Sequence, residues 1–186
     1  MKSSRKKWIL FSVFLVFIGL GSAFLLKLNS VSETPAVAAK ARPAPVPPEN
    51  LEHELKELGV QLQKRPGHTP VLMRMAQIER EKGKLDDAAT HLREVVHNEP
   101  ENADAHLELG RNLYEKGDLN GGISETETVL KINPKQVDAL YNLGAIYANL
   151  GNTERARLYW TRAVQADANA ESGRKAREAL TKIGGI

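Results

Sequence analysis

Three consecutive stretches of this chain, Thr69 to Asn102, Ala103 to Gln136 and Val137 to Ala170, superimpose at a fixed step of 34 residues. A period of that size marks each stretch as one supersecondary unit that buries its apolar face only against its neighbours. The chain is therefore expected to stack units in series rather than to wrap one central core.

The columns of this alignment carry physical meaning. Leu72, His106 and Leu140 open a helix, Met75, Leu109 and Leu143 follow a turn later, and Ala76, Gly110 and Gly144 supply a small residue where two helices touch. Gly83, Gly117 and Gly151 stop that helix, because glycine adopts the left-handed conformation at a helix end without strain. A second helix follows in each unit, with Ala88, Gly122 and Ala156 as small crossing residues. Val95, Val129 and Ala163, and beside them Val96, Leu130 and Val164, lie on its inward face. Pro66, Pro100 and Pro134 close successive units, since proline cannot continue the hydrogen-bonded ladder. Ala168 breaks that column, and the array is expected to end there.

This pattern resembles the tetratricopeptide repeat (TPR) family, whose unit is a helical hairpin of 34 residues. The third unit shows it best, with Leu143-Gly144, Tyr147, Ala156 and Trp160 in register. The fold class expected is all-α: a TPR solenoid of three repeats (69–102, 103–136, 137–170) with a leading helix over 50–66 and a C-terminal capping helix over 171–186. The leading helix carries Leu51, Leu55, Leu58 and Leu62 on one stripe. In the capping helix Ala176, Leu180 and Ile183 face inward, and Arg174, Lys175, Arg177 and Lys182 outward. Repeat two departs from the family pattern, with Asn120-Gly121-Gly122 at the start of its second helix and Thr126 in place of the aromatic. Each interior glycine costs about 0.5–1 kcal/mol relative to alanine, so this repeat is expected to be the softest.

Ahead of the repeats, Trp8 to Leu26 is uncharged, with Lys2, Arg5, Lys6 and Lys7 before it and Lys27 after it. A helix of that length spans roughly the 30 Å hydrocarbon core, and the basic cluster at 1–7 places the N-terminus in the cytoplasm. The sequence thus predicts a single-pass transmembrane signal anchor over residues 8–28 in the bacterial inner membrane, with a periplasmic repeat domain. The other reading is a signal peptide cleaved after Gly21-Ser22-Ala23, against which Phe24-Leu25-Leu26 continues the apolar run. Residues 29–49, with Pro35, Pro43, Pro45, Pro47 and Pro48 among many alanines, lack apolar periodicity and read as an extended linker. As polyproline the stretch from Lys27 to Glu49 would reach about 70 Å, and as a coil about 25 Å.

The formal charge of +3 is unevenly placed. Residues 1–48 carry seven basic and one acidic side chain, whereas residues 49–186 carry nineteen and twenty-two. The repeat domain is mildly acidic, which argues against nucleic acid as a partner. The chain contains no cysteine, so disulfides, thiolate catalysis and Cys-x-x-Cys-His haem attachment are excluded.

No catalytic constellation emerges. His53, His68, His91, His97 and His106 include no pair three or four residues apart on one helix, as a metal site would require. His106 fits a packing column instead. Ser124 and Ser172 stand in no nucleophile elbow. Asp86, Asp87 and Glu154 sit where the first turn of a second helix favours negative charge, and Glu79 and Glu81 with Lys82 and Lys84 read as a solvated helix face. The expectation is a protein that is no enzyme and needs no cofactor or metal.

The resemblance implies a concave groove lined by the first helix of each repeat, where a peptide or helical segment of a partner protein binds. The residues adjoining the core columns there are Met73, Gln77 and Arg80; Leu107, Arg111 and Tyr114; and Tyr141, Ala145 and Ala148 with Asn149 beside them. Each trio, at i, i+4 and i+7, shares one helical face. Met73, Leu107 and Tyr141 would form an apolar strip flanked by Arg80 and Arg111. The Lys, Asn and Arg set with which some TPR domains clamp a C-terminal carboxylate is not reproduced, since the matching places hold Met73, Gln77, Tyr141 and Ala145, so that mode is not expected. The chain is similar to the membrane-anchored TPR factors of cytochrome c biogenesis, which implies an adaptor or scaffold in envelope complex assembly. A chaperone-like role in secretion, or self-association through the strip or the array ends, is the alternative.

Overall fold

Three glycines with positive φ, Gly83 (74°), Gly117 (90°) and Gly151 (72°), divide the helical run at the repeat step. In each turn the next amide reaches back five residues: Lys84 N–H to Glu79 O at 2.8 Å, Asp118 to Leu113 at 2.9 Å and Asn152 to Tyr147 at 2.8 Å. This satisfies carbonyls that the helix end would otherwise leave open. The same residue then opens the following helix. The side chains of Asp118 and Asn152 accept from the amides of Gly121 and Arg155, whereas Lys84 has no acceptor to offer, and the first hairpin lacks that cap.

The computed structural model describes residues 48–184. Its helices are α1 (Pro48–Lys64), α2 (Thr69–Glu81), α3 (Leu85–Asn98), α4 (Ala103–Glu115), α5 (Leu119–Ile132), α6 (Val137–Asn149), α7 (Thr153–Ala166) and α8 (Glu171–Lys182). There are no strands among the described residues. Hairpins α2–α3, α4–α5 and α6–α7 stack in chain order, each second helix packing on the next first helix. The transmembrane helix expected at 8–28 lies outside the described residues, as does the linker expected at 29–49 except for Pro48 and Glu49, which instead open α1. Among the described residues no helix is long and apolar enough to cross a membrane.

Stacking continues past Ala168. The Asp167 carboxylate accepts the amides of Asn169 (2.8 Å) and Ala170 (3.0 Å), a turn made without the proline of earlier repeats. α8 then packs on α7 and α6, burying Ser172, Gly173, Ala176 and Leu180. At Gly173 a Cβ would lie 1.8 Å from the Asp167 carbonyl oxygen, so only glycine lets the backbone turn in this closely. In register, α8 sits where a first helix belongs, and α1 where a second helix belongs.

The core runs along the stack. Ala88, Gly122 and Ala156 are buried at the hairpin crossings, and Val95, Val129 and Ala163 are fully buried behind them. Small and large residues alternate across each hairpin. Ala76 meets Leu92, Gly110 meets Thr126, and Gly144 meets Trp160. A Cβ on Gly110 would stand 2.7 Å from Thr126 Oγ1, and one on Gly122 would stand 3.2 Å from Gly110 O. The glycines and the short Thr126 in repeat two thus belong together, because they let α4 and α5 approach to backbone contact. At the two ends of the stack the small-residue positions are filled by Glu54 on α1 and Glu178 on α8. Glu54 is held by Arg74 Nε and Nη2 at 2.6 and 2.8 Å, bonds that keep its carboxyl below its ordinary pKa.

One polar cluster departs from the sequence reading. Glu79 is not on a solvated face: it is 8% exposed, its Oε1 is 3.4 Å from His91 Nε2 on α3, and its Oε2 is buried without a partner. Repeats two and three place Leu113 and Tyr147 in the same column, both buried. Desolvation raises the Glu79 carboxyl above its ordinary pKa, with Asp87 adding to the effect and His91 and Lys84 opposing it. The unfolded chain therefore ionises Glu79 first, and stability falls as pH rises from the unfolded value through the folded one. Glu79→Gln is expected to melt higher than the wild type at pH 7, with the gap closing toward pH 4. A lower melting temperature at pH 7 would show that the His91 contact outweighs burial.

Candidate functional site

The first helices α2, α4 and α6 line one side of the stack, where two cavities lie side by side. The first, of about 580 Å³, is bounded by Met73, Gln77 and Arg80 of α2, Leu107, Glu108 and Arg111 of α4, and Asp138 of α6 among others. The second, of about 300 Å³, lies between α4 and α6 and is lined by Gly110, Arg111, Tyr114, Glu115, Tyr141, Asn142, Ala145 and Ile146. Of the residues singled out in the sequence, Met73, Gln77, Arg80, Leu107 and Arg111 share the first cavity. Arg111, Tyr114, Tyr141 and Ala145 share the second. Asn149, exposed at the end of α6, lines neither.

The apolar strip expected from Met73, Leu107 and Tyr141 is not a continuous exposed surface. Leu107 is 5% exposed and packs with Val129 and Ala139, because the next hairpin stacks over it. It shows the groove only part of its surface. Met73 and Tyr141 are half-buried and lean on the cores of repeats one and three.

The flanking arginines are also committed within the protein. Arg80 reaches Glu115 at 3.0 Å and Glu108 at 3.4 Å, and Arg111 reaches Glu108 at 2.7 Å and Asp138 at 3.7 Å. Ser172 on α8 donates to the other oxygen of Asp138. A chain of charge-assisted contacts thus crosses from α2 through α4 and α6 to α8. With Arg74, Arg80 and Arg111 opposed by Asp104, Glu108 and Asp138, the first cavity is lined by three charges of each sign. Such a surface favours no net charge on a ligand.

The second cavity holds a residue that sequence reasoning missed. Asn142 is among the residues that line it, with Tyr114, Tyr141 and Ala145, and its Nδ2, itself shielded from solvent, has no hydrogen-bond partner among the described residues. An amide left this way lacks a polar group that it could bond. The signal was present in the 34-residue column Arg74, Glu108, Asn142, polar in every repeat and adjacent to Met73, Leu107 and Tyr141. His106, by contrast, is a packing residue: its ring nitrogens lie 2.6 Å from Glu125 Oε2 and 2.9 Å from the Pro100 carbonyl, tying α4 to its neighbours.

Residues 73–127 match a tetratricopeptide repeat family model, and residues 126–158 match a second one. Among solved structures, a crystal structure of MamA superimposes with a TM-score of 0.64 at 17% identity, covering 74% of this chain and 81% of that one. MamA from Desulfovibrio magneticus RS-1, residue 41 to its end, gives 0.61 at 18% identity, covering 66% and 70%. YrrB, a TPR protein with an unusual peptide-binding site, gives 0.63 at 19% identity, covering 70% and 67%. The matched stretches run without a gap from residue 73 to residue 158, so this part of the chain carries tetratricopeptide repeats, and the described domain shares the fold of these structures, an all-α TPR helical solenoid.

Proposed function

We propose that this chain is a membrane-anchored TPR adaptor whose groove holds a segment of a partner protein during assembly of an envelope complex, as TPR factors do in cytochrome c biogenesis. The observation that carries this reading is the Tyr114–Tyr141–Asn142 cavity, an aromatic-walled space with a buried, unpartnered amide. A peptide backbone supplies both a carbonyl and an N–H, so a turn of the shielded Asn142 side chain toward the cavity would let a main-chain carbonyl satisfy its amide while a neighbouring apolar side chain fills the space. The peptide-binding site of YrrB, on the same fold, supports the reading. The uncharged stretch Trp8 to Leu26 after a basic N-terminus supports an inner-membrane anchor and a periplasmic domain.

A photoreactive residue at Tyr114 of the full-length chain is expected to crosslink to a protein partner in cells, the adduct being identified by mass spectrometry. Asn142→Ala should weaken that capture about 3- to 10-fold, the worth of one net hydrogen bond. Adducts that are undiminished in Asn142→Ala and Tyr141→Ala would show that the segment is held elsewhere. Protease added outside spheroplasts should degrade the repeat domain; its protection would refute the proposed topology.

A further inference from the structure

The outer faces of α3 and α7 carry charge that forms no ion pair among the described residues. On α3 the exposed residues Asp87, Thr90 and Glu94 stand at i, i+3 and i+7, and thus on one face. At the same register, two repeats later, α7 presents Arg155, Leu158 and Arg162, and between them α5 presents only Gly121, Ser124 and Thr128. Among the described residues, none of these two carboxylates and two guanidiniums forms an ion pair within the chain. The contrast with the groove, where Arg74, Arg80 and Arg111 are all paired, is complete.

The α7 face is also ordered in advance. Arg155 stacks over the Tyr147 ring at 5.1 Å and donates to its hydroxyl at 3.1 Å, while Arg162 stacks over Tyr159 at 5.5 Å. The two rings stack on each other 5.5 Å apart. Between the guanidiniums stands Leu158, 56% exposed. Arginines held on aromatic faces lose less freedom on pairing than free ones do, and they keep donors for a carboxylate. The charge balance along the domain follows the same division. Residues 49–152 hold twelve basic and eighteen acidic side chains, and residues 153–186 hold seven and four.

We propose that the outer face is a homotypic contact: the Arg155–Leu158–Arg162 face of one copy docks on the Asp87–Thr90–Glu94 face of a second copy. A second copy is the fitting partner because the complementary charges lie in the same chain, on the equivalent face of an equivalent helix, at matching spacing. Thr90 directs its hydroxyl back to the Asp86 carbonyl at 3.0 Å, so the centre of the acidic face has no free hydroxyl donor opposite Leu158. This surface lies on the second helices, away from the groove, and so leaves the groove free.

The absence of cysteine makes the test direct. Full-length chains with Thr90→Cys and with Leu158→Cys, each carrying a different tag, are mixed in the membrane and oxidised. The mixed disulfide dimer is expected to exceed both like dimers well beyond the statistical 1:2:1 distribution, and to fall about tenfold between 50 and 500 mM salt. Arg155→Glu with Arg162→Glu should abolish it in the Leu158→Cys chain, and pairing that chain with one carrying Asp87→Arg and Glu94→Arg should restore it. A statistical distribution would overturn the proposal and leave the basic face to another anionic partner, a lipid surface included. A yield indifferent to the charge exchange would overturn it equally.

Discussion

Trp160→Ala is expected to lower the stability of the C-terminal repeat by about 3–5 kcal/mol, the cost of emptying a large aromatic site in a core. The ring is buried against Gly144, and its Nε1–H donates to the Tyr141 carbonyl at 3.2 Å. It belongs to the cluster that unites α6, α7 and α8, including Leu140, Leu143, Ala163 and Leu180. Loss of the ring should therefore release α8 as well as α7. Hydrogen exchange resolved by helix is the suitable measurement, because a stacked array need not unfold in one step. Gly144→Ala attacks the same contact from the other side: its Cβ would lie 2.4 Å from Trp160 Cδ1 and Nε1, an overpacking worth about 1–3 kcal/mol. The double replacement Gly144→Ala with Trp160→Leu recreates the Ala76–Leu92 pair of repeat one, and its cost should be clearly less than the sum of the single ones. Strict additivity would mean that the two positions are not packed as described.

Leu107→Asp is the second large expected effect, a loss of about 3–5 kcal/mol from removing a buried leucine and burying a charge among Val129 and Ala139. Circular dichroism on heating should show repeat two melting well below the wild type. Met73→Asp, the equivalent change one repeat earlier at a half-buried site, should cost about 1 kcal/mol, within the ordinary range for partly exposed replacements. Equal losses at the two sites would contradict the burial of Leu107. Failure of a Leu107→Asp chain to capture a partner would accordingly report unfolding, so Asn142 and Tyr141 are the informative positions for binding.

The fold was legible in the sequence because each column answers to one local constraint: a glycine with positive φ, a small residue at a crossing, a proline between units. Those constraints act within a hairpin, and the 34-residue period repeats them. The site was harder to read. Leu107 shares a column with Met73 and Tyr141, but how deeply it is buried depends on α6 stacking over α4, a contact between repeats that no column displays. The sequence shows Arg80 and Arg111 flanking the strip, but not that Glu108 lies within reach of both, one on its own helix and one on its neighbour. Glu79 was grouped with nearby lysines along the chain, whereas its partner His91 comes from the other helix of the hairpin. Asn142 escaped notice because an asparagine on a helix face is ordinary until the cavity around it is seen. In each case the missing information was distance across the stack, which a one-dimensional period does not contain.

Glu54 and Glu178 take the positions that every interior hairpin reserves for alanine or glycine. A gene duplication copying one internal block, such as residues 103–136, would slot a further hairpin between existing ones with both glutamates still at the margins. Fusing two such domains end to end would instead press both carboxylates into the one hairpin formed at the seam. Such an array can therefore be lengthened from the middle far more readily than by concatenation, and the two outer helices act as punctuation for the described stack.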